Sequence, residues 1–173
     1  GLGVSPKQIG EIIGVTKAYC TRVGSGPFPT ELFDATGEEL RKVGSEFGAT
    51  TGRPRRCGWI DLVALRFACM INGVTQIVMT KADVLDHFNE LQMCVSYQVN
   101  GVSTTEVPYQ MDKLPLLPEY KQFAGWERPI AGCSTWADLP AAMHTYLDFM
   151  KNYLGVAVTY VSNGPGRDQI IFS

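Results

Sequence analysis

Apolar runs too short to be helices alternate with helical patterns along this chain, and this alternation restricts the fold more than any other feature. The nearly continuous apolar stretch from Trp59 to Ile71 predicts a helix that is buried on most sides and ends at Asn72-Gly73. The short apolar run from Gln76 to Met79 predicts a strand after it. An amphipathic pattern from Asp138 to Leu154 predicts another long helix, and the run from Val156 to Val161 predicts the strand that follows. Such alternation favours an α/β sheet.

A hairpin and a last strand extend this pattern. Met93 to Val99 alternates in polarity, Asn100-Gly101 favours a tight turn, and Val102 to Tyr109 predicts the returning strand. Gln169 to Phe172 predicts the last strand. Residues 108–137 contain four prolines and little periodicity, which predicts a long irregular segment.

Two helices are predicted in the first part of the chain. The segment from Ser5 to Gln8 has the residues of a capping box, and so does the segment from Thr36 to Glu39. Gly44 is suited to end the second helix. The apolar stripes of the two helices are Ile9, Ile12 and Ile13, and Leu40, Val43 and Phe47.

Composition argues against several classes of function. The 173 residues carry a net charge of −2 and a pI near 5.7, which argues against a general binder of nucleic acid or acidic membranes. No apolar run reaches the roughly 20 residues that a membrane span requires. The five cysteines are odd in number and form no C-x-x-C pair, so we expect free thiols in a reducing cytosol. We expect one domain, or a piece of a larger one that continues before Gly1.

One stretch collects positive charge and backbone freedom in spite of the acidic pI. The segment from Glu46 to Asp61 reads EFGATTGRPRRCGWID, and it places three arginines beside threonines and glycines. Guanidinium groups donate paired hydrogen bonds to carboxylates and phosphates, and a glycine-rich backbone can close on such an anion. The stretch predicts an anion-binding loop. The alternative is a solvated basic turn, since exposed arginines usually contribute little.

A second candidate site follows the strand from Gln76 to Met79. Thr80-Lys81-Ala82-Asp83 comes at the carboxyl end of that strand, where open α/β sheets bind ligands. The carboxylate of Asp83 can accept hydrogen bonds from the N1–H and the exocyclic amine of guanine, whereas adenine has an unprotonated N1. The stem of Lys81 can lie along the base. The T-K-x-D pattern resembles the guanine-reading N-K-x-D motif of GTPases, and the alternative is an ordinary turn.

The third candidate is VSNGPGR, Val161 to Arg167, which again follows a strand. Ser162, Asn163 and Gly164 offer donors and acceptors that could enclose the other side of a base. The alternative is an ordinary Gly-Pro turn. The two histidines are predicted to be solvated, and we predict no metal site in the chain.

Four stretches, in this order and at this spacing, carry a resemblance to one family. AYCTRVGSGPFPTEL, EFGATTGRPRRCGW, TKADVLD and VSNGPGR together resemble adenylosuccinate synthetase. The resemblance spans essentially the whole chain, which looks like the C-terminal two-fifths of such an enzyme. It implies a mostly parallel sheet like that of the P-loop NTPases, with flanking helices and an antiparallel hairpin.

The family resemblance implies an activity in purine nucleotide biosynthesis. Such enzymes join IMP to L-aspartate at the expense of GTP, with Mg²⁺, and form adenylosuccinate on the way to AMP. They are cytoplasmic homodimers. Since the family's glycine-rich G-D-E-G-K-G-K loop and its catalytic histidine are absent from this sequence, we expect them, and the ligands of Mg²⁺, in a missing N-terminal part. The chain alone is therefore predicted to be inactive, with no catalytic residue of its own.

The resemblance also assigns roles to individual residues. The loop that closes over aspartate is Ala49, Thr50, Thr51, Gly52, Arg53, Pro54 and Arg55. The residues near IMP are Val23 and Arg53. The residues that bind GTP are Arg55, Lys81, Ala82, Asp83, Ser162, Asn163 and Gly164. The last turn departs from the family, because Gly166 stands where many members have an acidic residue before the arginine.

Two other functions remain as alternatives to the ligase. The chain could be a guanine-nucleotide-binding or regulatory module without ligase activity, in which the arginine loop grips phosphates. An RNA-binding function is disfavoured by the acidic pI and by the lack of a run of aromatic residues near the arginines.

Overall fold

The structure, a computed structural model, describes residues 3–173, apart from the side chain of Pro6. In chain order the strands are β1 (Ile13–Lys17), β2 (Cys20–Arg22), β3 (Arg56–Gly58), β4 (Ile60–Asp61), β5 (Gln76–Thr80), β6 (Glu90–Val99), β7 (Val102–Thr104), β8 (Leu116–Ala124), β9 (Ala157–Ser162) and β10 (Ile170–Phe172). The α-helices are α1 (Ala35–Val43), α2 (Leu62–Asn72) and α3 (Ala141–Leu154). Among the described residues, no helix has the length and apolarity needed to cross a bilayer.

The main sheet has the strand order β1-β5-β9-β10. The first three strands are parallel, and β10 returns antiparallel to β9. The apolar side of α3 faces this sheet, and its residues Met143, Tyr146, Leu147, Met150 and Leu154 are all buried. The α/β class predicted from the sequence is confirmed, as are the strands predicted at β5, β9 and β10.

A second sheet contains the predicted hairpin. Strands β6 and β7 pair antiparallel around Asn100 and Gly101, which both have positive φ angles, 52° and 81°. Strand β8 pairs along the other side of β6 for almost its whole length. The prediction of an irregular segment over 108–137 is therefore wrong for Leu116–Ala124, whereas residues 108–115 and 125–135 form no helix or strand. Pro118 is tolerated because β8 is an edge strand, where a residue without an N–H group breaks no ladder.

The helices begin and end close to the predicted positions, with different caps. Asp34, and not Thr36, caps α1, because its side chain accepts a hydrogen bond from the backbone N–H of Gly37. The Asp61 carboxylate caps α2 in the same way. Helix α2 is not buried on most sides as predicted, since its residues Phe67, Met70 and Ile71 are exposed.

The helix predicted from Ser5 to Ile13 is also wrong. Only a single 3₁₀ turn forms, over Pro6–Gln8, and the chain then becomes extended at β1. The spacing of the three isoleucines matched a helix, but pairing with β5 overrides that local pattern. Strand β1 lies at the end of the sheet, and within residues 3–173 no strand pairs with its outer side. Ile13 and Val15 are 50% and 71% exposed there.

Candidate functional site

Three parallel strands end side by side at one edge of the main sheet. The last residues of β1, β5 and β9 are Lys17, Thr80 and Ser162, and Lys17 lies opposite Thr80 in the register. Two of the predicted ligand segments, Lys81 to Asp83 and Ser162 to Gly164, therefore follow neighbouring strands. This is the edge at which open α/β sheets bind ligands.

The predicted aspartate loop forms a small hairpin over residues 47–55, which we call the arginine hairpin. Phe47 and Pro54 form an antiparallel bridge, and the N–H of Gly48 donates to the carbonyl of Arg53 at 2.9 Å. Its tip, residues 49–54, is exposed throughout. Within residues 3–173, the Arg53 guanidinium makes no ion pair and no hydrogen bond to protein. The tip is therefore open to solvent and available to an anion.

The next two arginines have protein partners. Arg55 donates to the carboxylate of Glu46 at 2.7 Å. Arg56 forms an ion pair with Glu31, donates to the carbonyls of Gly24 and Gly26 at 3.0 Å each, and lies over the ring of Phe28. These contacts fix the turn after β2, where Val23 is 69% exposed. Arg56 is thus structural.

Glu46 is the centre of this region, although the sequence did not mark it as a site residue. Its side chain has no solvent exposure, and both oxygens are used. Oε1 accepts from the Nζ of Lys17 at 2.8 Å, the hydroxyl of Tyr19 at 2.5 Å and the Nζ of Lys81 at 3.1 Å, and Oε2 accepts from Arg55. We call these five residues the Glu46 cluster. It joins the arginine hairpin to the ends of β1 and β5.

The cluster keeps Glu46 ionised. Burial by itself opposes ionisation, but hydrogen bonds from two lysines, a tyrosine and an arginine outweigh it and lower the pKa of Glu46 to about 2. Burial, and then the hydrogen bond to this carboxylate, raise the pKa of Tyr19, so that its hydroxyl remains a donor. The cluster is therefore a fixed arrangement of one anion and three cations at neutral pH.

Lys81 reaches the cluster from a constrained backbone. Its φ and ψ angles, 58° and 33°, lie in the left-handed region, which is uncommon for a residue other than glycine and occurs often at functional sites. The ammonium group also donates to the carbonyl of Gly44, the residue that ends α1, at 2.5 Å. Both contacts fix the position of the ammonium group, although the side chain remains 38% exposed, and Lys81 immediately precedes the 3₁₀ helix Ala82–His87.

Asp83 and Ala82 occupy that 3₁₀ helix in different ways. Ala82 is fully buried and can contribute only through its backbone. Asp83 is half-buried, and its carboxylate has no hydrogen bond or ion pair with any of residues 3–173. A partly buried carboxylate without a partner is costly unless a ligand or water supplies donors. Asp83 therefore has the free acceptors that the guanine hypothesis requires.

In the segment from Ser162 to Gly164, one predicted site residue has a buried side chain. Asn163 is 2% exposed and its Nδ2 donates to the carbonyls of Ile130 and Cys133, while its Oδ1 has no partner among residues 3–173. The Ser162 hydroxyl donates to the carbonyl of Gly164 at 2.9 Å. Asn163 instead anchors the turn to the segment after β8, so that the ligand-facing groups available here are those of Ser162 and the backbone.

The described residues do not supply a metal site. No group of three histidine, cysteine, aspartate or glutamate side chains within residues 3–173 is close enough to hold an ion. Of the two aspartates in the 3₁₀ helix Ala82–His87, Asp86 accepts from the Trp126 indole and the Ile130 N–H, whereas Asp83 has no partner among residues 3–173.

The arginine hairpin, two lysines that contact Glu46 and the unpartnered carboxylate of Asp83 lie at the carboxyl edge of a parallel sheet, and this arrangement defines the chain as an α/β protein with charged groups at the edge where such sheets bind ligands. A family model described as adenylosuccinate synthetase matches residues 1–171. The chain belongs to the adenylosuccinate synthetase family.

Individual relatives agree with this assignment. The chain is 54% identical over 172 residues to an adenylosuccinate synthetase of Cytophaga hutchinsonii, and 54% identical over 171 residues to that of Parabacteroides distasonis. It also matches the solved structure of fully ligated adenylosuccinate synthetase from Plasmodium falciparum, with a TM-score of 0.93 and 36% identity. These matches cover 99–100% of this chain but only 40% of the two bacterial relatives and 42% of the solved chain.

Proposed function

We propose that this chain supplies the aspartate loop and the guanine-recognition segments of an enzyme that joins IMP to L-aspartate with GTP. The observation that carries the proposal is the Glu46 cluster, which brings the arginine hairpin against Lys81 at the edge where β5 and β9 end. Two segments that the family resemblance assigns to different ligands thus meet at one place. The parent enzyme would act in AMP biosynthesis, in the cytoplasm and as a homodimer.

Aspartate would bind at the tip of the arginine hairpin. The tip from Ala49 to Pro54 is exposed, and the guanidinium of Arg53 has no partner in the described chain. L-Aspartate carries two carboxylates, and a planar guanidinium donates two parallel hydrogen bonds to one of them. Threonine hydroxyls and glycine N–H groups beside Arg53 can bind the other. IMP would lie nearby, against Arg53 and the turn that carries Val23.

GTP would lie across the ends of β5 and β9. Asp83 has free acceptors for the N1–H and exocyclic amine of guanine, and the stem of Lys81 would lie along the base. The turn from Ser162 to Gly164 would close the pocket through Ser162 and the backbone, because the side chain of Asn163 is buried. Arg55 would reach the nucleotide from the side of the hairpin.

The reaction proposed for the parent enzyme has two steps. IMP loses its N1–H proton, its 6-oxygen attacks the γ-phosphorus of GTP, the bond from that phosphorus to the β,γ-bridging oxygen breaks, and GDP leaves. The aspartate amine then attacks C6, the C6–O bond breaks, phosphate leaves and the amine loses a proton. This chain would bind and orient the substrates, and closure of the arginine hairpin would exclude water from the phosphorylated intermediate. The proton acceptor, the phosphate loop and the ligands of Mg²⁺ would come from the rest of the enzyme.

A complete enzyme can be built to test this function. In it, the matching segment of the Cytophaga hutchinsonii relative is replaced by this chain, to which it is 54% identical. We expect consumption of IMP that depends on both GTP and aspartate, followed by the change in absorbance as adenylosuccinate forms, whereas this chain alone gives none. A hybrid that is folded and binds GTP but consumes no IMP would favour the guanine-nucleotide-binding module instead.

The guanine site can be tested separately in the same hybrid. Asp83→Asn replaces an acceptor by a donor opposite the exocyclic amine of guanine, so we expect the preference for GTP over ITP in kcat/KM to fall about tenfold. Asp168→Asn, in the exposed part of the last turn, is the matched control and should leave the ratio unchanged. An unchanged ratio in Asp83→Asn would remove Asp83 from the guanine site.

A further inference from the structure

The Glu46 carboxylate connects two residues, Arg55 and Lys81, that the proposed function assigns to GTP. Its Oε2 accepts from Arg55 on the arginine hairpin, and its Oε1 accepts from Lys81 at the end of β5. From this shared contact we infer that Glu46 is a positioning residue, which holds Arg55 and Lys81 in register for GTP without touching the nucleotide. The inference rests on the proposed function, because that function makes both cations ligands of GTP.

The exposure of the cluster is arranged as a positioning role requires. Glu46 has 0% side-chain exposure, so it lies behind its partners and out of reach of a ligand. The side chains of Lys17, Arg55 and Lys81 are 28%, 32% and 38% exposed. Each cation therefore has one side on Glu46 and another side on solvent, where a polyanion would bind.

The charges of the cluster also favour this role. Three cations close together repel one another, and the ionised carboxylate at their centre makes the arrangement stable. Three positive charges and one negative charge leave a surplus of two positive charges at the edge of the sheet. The same carboxylate that assembles the cations thus leaves them able to attract the phosphates of a nucleotide.

The position of Glu46 is itself fixed from behind. The hydroxyl of Tyr19 donates to it and lies so close to Gly44 that a Cβ atom built there would be 2.2 Å from the oxygen. Lys81 donates to the carbonyl of Gly44 as well. The end of α1, Tyr19 and Glu46 therefore form one packed unit. A displacement of the arginine hairpin would change the position of Lys81 as well.

The pair formed by Glu31 and Arg56 provides the contrast. It is also a partly buried ion pair next to the arginine hairpin, but Glu31 contacts a single arginine, and Arg56 fixes the Val23 turn. Glu31 does not contact two residues that the proposed function assigns to GTP binding. A carboxylate with a merely structural role is thus available beside the same hairpin, and Glu31→Gln is the matched control for Glu46→Gln.

The inference is tested by a double-mutant cycle on the Kd for a fluorescent GTP analogue in the hybrid enzyme. With Glu46 present, Arg55→Ala and Lys81→Ala should be non-additive, with the double variant about tenfold tighter than the product of the two single effects predicts. In the Glu46→Gln background the carboxylate no longer connects the two cations, and the effects should multiply to within about twofold. In the Glu31→Gln background the non-additivity should persist.

Each result of the cycle has a distinct meaning. If the effects of Arg55→Ala and Lys81→Ala on Kd multiply while Glu46 is present, the inference is overturned. This measurement does not depend on whether a Glu46 variant folds. Non-additivity that persists unchanged in Glu46→Gln also overturns it, because the coupling would then pass through the nucleotide. Consumption of IMP is measured on the same enzyme, so that a failure of the ligase function is seen separately, and loss of all GTP binding in the unmutated hybrid would instead overturn the guanine site.

Discussion

The tip and the base of the arginine hairpin differ in how their charges are partnered. At the tip, Arg53 is exposed and has no protein partner among the described residues. At the base, Arg55 is held by the buried Glu46, and the following Arg56 is held by Glu31. Neighbouring residues of the same type are therefore used differently. Arg56 is held by Glu31 and two carbonyls and fixes the structure, and Arg55 is held by Glu46 on one side and is 32% exposed on the other. Arg53 has no such carboxylate and remains available to a ligand that brings its own.

The largest expected effect is a loss of L-aspartate binding when the tip of the hairpin is altered. Arg53→Ala in the hybrid enzyme should lower kcat/KM for L-aspartate by about 100-fold, because a charge-assisted pair of hydrogen bonds is lost. The melting temperature should not change, since the Arg53 guanidinium makes no hydrogen bond or ion pair with residues 3–173. Lys42→Ala removes an exposed cation of α1 and serves as the control. A normal kinetic response to aspartate in Arg53→Ala would show that the tip is only a solvated turn.

The next largest expected effect is a pH dependence of the unfolding free energy, which tests whether Glu46 holds the base of the hairpin as an anion. The pKa of Glu46 is about 2 in the folded chain, below its ordinary value of 4.5, so its contribution to stability is present above pH 4.5 and is lost as pH falls towards 2. The difference in unfolding free energy between this chain and its Glu46→Gln variant should therefore shrink by about 3 kcal/mol between pH 6 and pH 2.

Urea titration with tryptophan fluorescence measures this difference, because Trp59 and Trp126 are buried. Glu38→Gln is the control, since Glu38 is 74% exposed in its pair with Arg41 and should show no comparable pH dependence. A constant difference between Glu46→Gln and the unaltered chain over this pH range would mean that Glu46 is not held as an anion by its neighbours.

The smallest effect concerns Arg56. Arg56→Lys keeps the charge but cannot donate at once to Glu31 and to the carbonyls of Gly24 and Gly26, so we expect a loss of about 1 kcal/mol in unfolding free energy. Lysine at the exposed position of Arg167 should cost much less. If the two substitutions lower the unfolding free energy in urea equally, the contacts of Arg56 do not stabilise the fold, and Arg56 resembles the unpartnered Arg53.

Local patterns predicted most of the helices and strands, because their periodicity matches the side that is buried. The stripe of α3 and the Asn100-Gly101 turn are examples, since each is determined by a few adjacent residues. Strands β1 and β8 could not be predicted in this way. Three isoleucines at helical spacing made the β1 region look like a helix, and prolines made the β8 region look irregular. Both strands form by pairing with β5 and β6, which lie far away in sequence.

The same reasoning separates the parts of the site. The arginine hairpin and the T-K-A-D segment are contiguous, so their chemistry was visible in the sequence. The role of Glu46 was not, because its four donors come from three other parts of the chain. The one available sign was a single acidic residue at the start of a basic, glycine-containing stretch. The buried side chain of Asn163 likewise depends on carbonyls at Ile130 and Cys133, which no local pattern indicates.

Strand β1 has a practical consequence for anyone who prepares this chain by itself. Its outer backbone groups find no partner strand within residues 3–173, and apolar side chains at Ile13 and Val15 stand beside them. Such a border can recruit the same border of another molecule at high protein concentration. Self-association in a preparation of the isolated chain would then result from the unpaired edge of β1 and would not indicate a physiological oligomer.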